Sequence, residues 1–379
     1  MVAIPNHHFF QWVNQLKDSG YEVYWFDVTD GGPKSPKIEW VTQIKGWKLK
    51  WDFPFRNTIK KKYSKLYKSI KRVNENKVSN AFEKTLDTIQ PDIVHCFEMQ
   101  LSGLPILPIM EQNKIPFIYS SWGSDVFYFK QLGVSKNQLD RFYNRVNHLI
   151  TDCKRDFKIA TENGFQGRFL GVFPGNGGLI IDSGKIKAVQ DRNVILIKGY
   201  DDGVGKASIV LKGLELVSKK LLLDKKVIIY SADNNIQKLV KTSKVLSELP
   251  ITVYSRYHFI KNKNLLEFMG QSCIHIANSI SDGMPNALLE AMAMGAFPIQ
   301  SNPGNVTEEV ITDNENGFLI SNPLDWDEIA LHITNALKNE TLRRQSQEFN
   351  VNLMQDHYNR TIMQPKIKAL YKTVYNQKL

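Results

Sequence analysis

The sequence predicts an α/β protein built from two doubly wound parallel-sheet domains. Short β-branched runs alternate along the whole chain with helical stretches of crossover length, the pattern of parallel sheets covered by helices on both faces. The length of 379 residues favours two domains over one large core. Between two sets of strands lies PGNGGLIIDSGKIKAVQDRN (174–193), rich in Gly, Asn and charge and poor in large apolar residues, which reads as a linker.

The opening MVAIP leaves only four or five residues before Pro5, so the first strand is expected to be short. Strands follow at YEVYWFDV (21–28), PDIVHCF (91–97), IPFIYSS (115–121), HLITDC (148–153) and RFLGVFP (168–174), with helical patterns such as 9–18 and 134–146 between them. The second set is NVILIKGY (193–200), KKVIIYSA (225–232), ITVYSR (251–256), CIHIANS (273–279), AFPIQS (296–301) and NGFLIS (316–321). The expected organisation is a first domain over 1–173, a linker over 174–192 and a second domain over 193–359. A C-terminal helix of about 360–379 is expected to pack back on the first domain, and Pro365 to bend or break it.

Hydrophobic content of 42% with 23% charged residues excludes a disordered or fibrous chain and little else. Cys96, Cys153 and Cys273 lie far apart with no C-x-x-C pair, against a disulfide scaffold or zinc knuckle and in keeping with a reducing compartment. No apolar run reaches the length of a membrane span, and the start lacks the charged-then-apolar order of a signal peptide. A cytoplasmic location is expected, peripheral on the cytoplasmic face of a membrane if the basic stretch below meets lipid.

The formal charge of +11 asks for an anionic partner. From Lys45 to Arg72 there are eleven basic residues and one acid, Asp52. Ile59, Tyr63, Leu66, Tyr67, Ile70 and Val73 recur there at helical spacing with lysines between them, reading as an amphipathic helix with a basic outer face. It is either a solvated helix packed on its own domain or a surface, over 59–73, for anionic lipid headgroups. Nucleic acid is not expected, because no recognition module accompanies the charge.

The most informative stretch is SISDGMPNALLEAMAMGAFPIQSN (279–302). A strand leads into a turn with Gly283 and Pro285, then into a strong helix former that Gly295 stops. The carboxyl end of the strand and the amino end of the helix meet at Asp282–Ala287, the edge where open α/β sheets bind ligands and where free N–H groups favour phosphate. Glu290 sits a little further in, amid Leu, Ala and Met, where a buried carboxylate without a partner is costly. Asp282 is a helix cap and Glu290 a solvent-facing residue, or both are ligand-binding; ribose hydroxyls are suitable donors to Glu290.

This stretch resembles the E-x(7)-E signature of the large retaining GT-B glycosyltransferase family known as glycosyl transferases group 1, S-x-E-G-x-P-x-x-x-x-E-A-M-A-x-G-x-P, with spacing and glycines intact and Asp282 in place of the first Glu. The resemblance implies the GT-B architecture, two Rossmann-like domains facing a central cleft. It gives Glu290 the donor ribose, the mouth formed by Gly283, Met284, Pro285, Asn286, Ala287, Leu288 and Leu289 the rest of the donor, and Asp282 the donor sugar and its diphosphate. Asp is one methylene shorter than Glu, which weakens the transfer of that last role. SNPGNVTEEVITDNENGFLI (301–320) is similar to the family's next strand, glycine turn, acid and hairpin, with Gly304 and Glu309 in place. VFPGNGG (172–178) resembles the segment that opens the interdomain linker.

PDIVHCF resembles the strand D-V-I-H-A-H, with His95 at the first His, although a His on an apolar strand is as readily a core residue. SSWGSDV (120–126) resembles T-x-H-G-x-D, keeping Asp125 but placing Trp122 where the family has His. His7, His8, His95 and Trp122 are thus the acceptor-side candidates. The family's G-R-L-x-x-x-K-G corresponds to LIKGYDDGVGKAS, so Lys198 and Lys206 are candidates to hold the diphosphate, unless they are two solvated lysines on a loop. The spacing is longer and Lys replaces Arg, which loses the bidentate fork and keeps the charge. With Asp282 and Asp125 they complete the candidate catalytic set.

The resemblance implies retaining, hexosyl-type transfer from a nucleoside-diphosphate sugar, UDP favoured, to a glycan or lipid-linked acceptor in cell-surface polysaccharide or glycoconjugate assembly. No cofactor is expected beyond the sugar nucleotide as co-substrate. No metal is expected, since no Asp-x-Asp pair stands where a divalent ion would be held. A non-catalytic binding or scaffold subunit and a GT-B-fold sugar-nucleotide epimerase are the competing readings.

Overall fold

The computed structural model describes residues 1–258 and 260–377, with the backbone alone at Asn57. The chain divides into two compact units. The first comprises Met1–Asp152, Asp156–Gly177 and the residues from Gln364 onward; the second comprises Cys153–Arg155 and Gly178–Met363. The segment expected to be a linker over 174–192 is therefore shared out, its first four residues with the first unit and the rest with the second.

Seven parallel strands form the first sheet: β1 (Val2–Ala3), β2 (Tyr24–Asp27), β3 (Thr42–Ile44), β4 (Val94–Phe97), β5 (Phe117–Ser120), β6 (His148–Thr151) and β7 (Arg168–Val172). Their order is β3-β2-β1-β4-β5-β6-β7, so the direction of winding reverses between β1 and β4. β1 is as short as Pro5 demands, yet it is central: Val2 is in register with both Phe26 and Cys96. β3 was not anticipated, because Thr-Gln-Ile is too short to show a period. The inner strands β4, β5 and β6 are buried on both faces, as parallel sheets require. The first crossover begins with a helix over His7–Val13, whose Asn6 side chain accepts from His8 N–H, and closes with a 3-10 turn over Asn14–Leu16.

The basic stretch forms two helices where one was expected, Arg56–Lys62 and Ser64–Asn74, interrupted at Tyr63 (φ −125°, ψ 59°). Lys61 and Lys65 would repel one turn apart across an unbroken helix, with no acid between them to offset it. The anticipated apolar stripe is mostly uncovered. Tyr67 is buried, whereas Tyr63, Leu66 and Val73 are exposed, as are Trp51 and Phe55 just before the helices.

The second sheet has six parallel strands: β8 (Val194–Lys198), β9 (Lys226–Ala232), β10 (Ile251–Ser255), β11 (Ser272–Ala277), β12 (Phe297–Ser301) and β13 (Phe318–Ile320). Their order, β10-β9-β8-β11-β12-β13, reverses between β8 and β11. Ile195, Ile197, Ile229, Ile274 and Ile276 fill its interior.

The C-terminal region differs from expectation in one respect. Two helices run over Glu340–Tyr358 and Arg360–Asn376, and the break falls at Asn359, not at Pro365. Asn359 is extended because the chain straightens there to pair with Leu179: Leu179 N–H donates to Tyr358 O and Arg360 N–H to Leu179 O, at 2.7 and 2.8 Å. The Asn359 side chain then accepts from Thr361 N–H and restarts the helix. Pro365 lies early in that helix without interrupting it. Residues 378 and 379 of the anticipated helix lie outside the described residues. Among the described residues no helix is long and apolar enough to cross a membrane.

Candidate active site

In the second unit the reversal of strand order places two loops side by side, one leaving the end of β8 and one leaving the end of β11. They are laced together by Lys206 N–H to Asn278 O at 2.9 Å, Ile280 N–H to Val204 O at 3.1 Å and a bridge between Gly205 and Ser279. Gly205 is required for this closure, because a Cβ there would meet the Tyr200 carbonyl oxygen at 2.4 Å. Asp201 tightens the same loop by accepting from Ser208 N–H and Oγ at 3.0 and 2.8 Å.

Lys198, the last residue of β8, reaches across to Asp282 with Nζ 4.0 Å from Oδ2. Burial pushes the Asp282 carboxyl up, and the charges of Lys198 and Arg155 oppose that rise. Lys206 precedes the helix Ala207–Leu216 as its N-cap residue, beside the loop that carries Asp282, and no ion pair joins its side chain to Asp282 among the described residues. The structure thus brings Lys198 and Asp282 together directly, and Lys206 next to them through its backbone.

The helix Asn286–Ala293 opens as the sequence indicates, with Pro285 as its N-cap and Gly295 (φ +72°) just past its end. One expectation narrows. The N–H groups of Leu288 and Leu289 donate to Pro285 O at 3.0 and 3.2 Å, so they are not offered to a ligand; the donors of the mouth are those preceding Leu288. Met284 is buried in the core beneath, with Leu288 and Leu289. Glu290 lies about one turn in, where Asn262 Nδ2 donates to its Oε1 at 3.2 Å. Burial raises the Glu290 carboxyl to about 7, against the pull of that hydrogen bond and of the Arg360 charge.

Two arginines that spacing did not reveal complete the arrangement. Arg155 donates from Nη1 to Pro303 O at 2.7 Å and from Nη2 to Asp282 O at 2.8 Å, fixing the turn that presents Asp282. Its own backbone is held by Glu309, whose carboxylate accepts from the N–H groups of Lys154 and Arg155. Arg256, just past β10, is clamped by Asp233 at 3.0 Å and Asp202 at 3.1 Å. Its guanidinium lies 4.3 Å from the centre of the Tyr200 ring, which also carries Lys198 Nζ at 4.8 Å. Tyr200, Tyr230, Ser255 and Arg256 line a cavity of about 220 Å³ at this end of the sheet. The only sequence signal for Arg256 was its place at a strand's carboxyl end; Arg155 had none. Nearby, His275 pairs with the Tyr230 hydroxyl at 2.9 Å, and burial with the Lys198 charge lowers it to about 3.

In the first unit, the residues expected on the acceptor side separate into two groups. His8 and Trp122 lie with ring centres 6.3 Å apart, His7 and His8 likewise, and Phe97 stands 6.2 Å from Trp122. Trp122 Nε1 is buried with no hydrogen-bond partner among the described residues. His95 stands apart from that group. It is fully buried, with Nδ1 2.8 Å from the Tyr371 hydroxyl and Nε2 2.8 Å from Ser120 Oγ, so both nitrogens are spent inside the core.

Asp125 is held on three sides. Its carboxylate accepts from Met99 N–H, Trp122 N–H and the Tyr119 hydroxyl, and these three bonds make it a brace for the Trp122 turn. Burial raises it, and its charge adds to burial in raising neighbouring Glu98 to about 8. Glu98 has a left-handed backbone (φ +69°) and caps the following turn through Gln100 and Leu101 N–H.

Two family models match the sequence: Glycosyl transferase 4-like over residues 2–153, and Glycosyl transferases group 1 over residues 253–350. No curated protein matches. Among solved structures, the sucrose-phosphate synthase of Thermosynechococcus elongatus superposes with a TM-score of 0.71 at 16% identity, covering 97% of this chain and 92% of that one. Anabaena HepE in complex with UDP and glucose superposes with a TM-score of 0.67 at 11% identity, covering 98% and 100%. WaaG, a glycosyltransferase involved in lipopolysaccharide biosynthesis, superposes with a TM-score of 0.62 at 14% identity, covering 98% of each chain. Two doubly wound parallel sheets, one model matching β1 to β6 and the other β11 to β13, and this likeness along nearly the whole length lead to one assignment: the chain belongs to the group 1 glycosyltransferase family and has the GT-B fold.

Proposed function

We propose that this protein transfers a sugar, with retention of configuration, from a UDP-sugar to a glycan or lipid-linked acceptor in cell-surface polysaccharide or glycoconjugate assembly. The observation that carries this reading is the carboxylate pair at one helix mouth, Asp282 with Lys198 4.0 Å away and Glu290 about one turn into the helix. Glu290 takes the ribose hydroxyls. The N–H groups at the mouth, with Lys198 and Lys206, take the diphosphate, whose charge grows as the bond to the anomeric carbon breaks. Asp282 lies on the sugar side. The cavity lined by Tyr200, Tyr230 and Arg256 takes the base, and the UDP bound to HepE supports uridine as that base.

His7, His8 and Trp122 are assigned to the acceptor. Charge stabilisation comes from lysines and N–H groups, so turnover is expected to be independent of divalent metal. Activity lost with EDTA and restored by manganese would overturn that point. The exposed Trp51, Phe55, Tyr63 and Leu66 among the lysines of 45–72 support attachment to an anionic membrane surface on its cytoplasmic face.

The test of the donor reading is calorimetry with UDP. Glu290→Ala should weaken binding by about 1.5–3 kcal/mol, the loss expected for a hydrogen bond to a charged group, with circular dichroism unchanged. Equal affinity in the variant would refute the ribose assignment, and product stereochemistry by NMR tests retention.

A further inference from the structure

We propose that the first unit carries a second carbohydrate site, which holds a glycan of disaccharide size without reacting with it; this rests on the reading of the protein as a glycan-extending transferase. The site is a cavity of about 440 Å³ bounded by the loop before β2, the loop before β4 and the last helix. It lies at the amino ends of the strands, whereas His8 and Trp122 lie past the carboxyl ends of β1 and β5. A ligand held here is therefore remote from the acceptor residues proposed above.

Four tyrosines, Tyr21, Tyr24, Tyr371 and Tyr375, line it. Tyr21 and Tyr375 keep 37% and 44% of their surface exposed, so broad ring area is open to a ligand. The rings are held in place. The Tyr21 hydroxyl donates to Lys368 O at 3.0 Å, and the Tyr371 hydroxyl meets Trp12 Nε1 at 2.9 Å and His95 Nδ1 at 2.8 Å. Tyr21 and Tyr371 are tilted by 55° with centres 6.0 Å apart. Glu22 and Asp92 add carboxylates and Gln90 an amide.

This composition selects among ligands. Among the described residues no lysine or arginine lines the cavity, in a chain that carries 49 of them, and the Met1 amino group that does is lowered to about 5 by burial and donates to Tyr24 O, so a phosphate or nucleotide meets two carboxylates and little counter-charge. A wholly apolar chain would strip water from two carboxylates and an amide without replacing their hydrogen bonds. A small organic cation matches the charge but fills only part of the space. A disaccharide meets every feature: an apolar ring face for the phenol rings, hydroxyls that donate to carboxylate and amide oxygens, and a size suited to a cavity of this volume.

The experiment is saturation-transfer NMR with maltose, cellobiose, lactose and N,N′-diacetylchitobiose on full-length protein, with UDP calorimetry in parallel. At least one disaccharide should bind. Tyr375→Ala and Glu22→Gln should each weaken it about tenfold or more while leaving UDP affinity unchanged, and Glu290→Ala should do the reverse. Failure of all four sugars to bind overturns the proposal, as does binding indifferent to both pocket variants. Tetramethylammonium binding that both variants abolish, with no sugar bound, replaces the glycan by an organic cation. Sugar binding through Tyr375 in a protein that ignores UDP would keep this site and sink the transferase reading instead.

Discussion

Both sheets reverse their strand order at the same topological place, between the first and fourth strands of each, and they furnish that place with different chemistry. In the second unit it carries Lys198, Asp282 and Glu290, with Arg155 and Arg256 behind them, each side chain tied to a loop. In the first it carries His7, His8, Phe97 and Trp122, while the acids there, Glu98 and Asp125, face inward and cap backbone N–H groups. One scaffold thus provides a charged end suited to a nucleoside diphosphate and an aromatic end suited to a ring with apolar and hydroxyl faces. Topology decides where a ligand sits, and side chains at the strand ends decide which ligand.

The largest effect that would break this contrast concerns Lys198. Lys198→Ala should lower kcat about 10²–10³-fold, the range seen when one preorganised charge stabiliser is removed. Donor affinity should change far less, and Lys206→Ala should be milder in both. A purely binding defect in Lys198→Ala, with kcat intact, would deny the charged end its role in the reaction.

Trp122→Ala should raise the KM for the acceptor about tenfold or more and leave UDP affinity untouched. A drop in UDP affinity would erase the division between the ends. Asp125→Asn should instead lower the melting temperature, because a brace for three donors loses its charge; lost turnover at unchanged stability would return Asp125 to the catalytic set.

Glu290 sharpens the comparison through pH. Its folded value of about 7 lies above the ordinary glutamate value of 4.5, so the folded protein holds a proton that the unfolded chain has released. Ligand-free stability should therefore fall as pH rises from about 4.5 to 7. UDP affinity should move the other way, climbing between about pH 6 and 8 as the carboxylate becomes available to accept from ribose hydroxyls. Glu290→Gln should flatten both curves, and a UDP affinity constant over that interval in the wild type would contradict the assignment.

The smallest expected effect is at the basic helices. Changing Lys60, Lys61, Lys65 and Lys68 to Glu should abolish co-sedimentation with anionic vesicles, an attraction of about 1 kcal/mol per lysine that salt screens, and spare UDP binding. Wild-type protein that ignores anionic vesicles at low salt would reduce this stretch to a solvated surface.

The charged end was legible in the sequence because its signals are local. Asp282, Pro285, Glu290 and Gly295 lie within one strand–turn–helix unit, where each residue type has a positional meaning. The long-range members were not: Arg155 reaches Asp282 across 127 positions, and Arg256 depends on Asp202 and Asp233 from other loops. At the aromatic end, His95 and Asp125 look chemical in sequence, and only packing shows that their polar atoms are already satisfied. The break at Asn359 escaped for a similar reason. A period says which residues favour a helix, but a distant partner such as Leu179 decides where the helix stops.

The Tyr200 ring, with a cation over it from each of two strands, bears on the kinetics of loading. A lysine resting on an aromatic face gives up roughly 0.5–1 kcal/mol at an exposed site and about 2 kcal/mol when desolvated, and the Asp282 carboxylate 4.0 Å away lies beyond hydrogen-bond reach. On the proposed donor reading Lys198 is therefore loosely berthed, ready to swing to an arriving diphosphate and to return when the product departs. On that reading, so loose a berth keeps the cation from becoming the brake on nucleotide release.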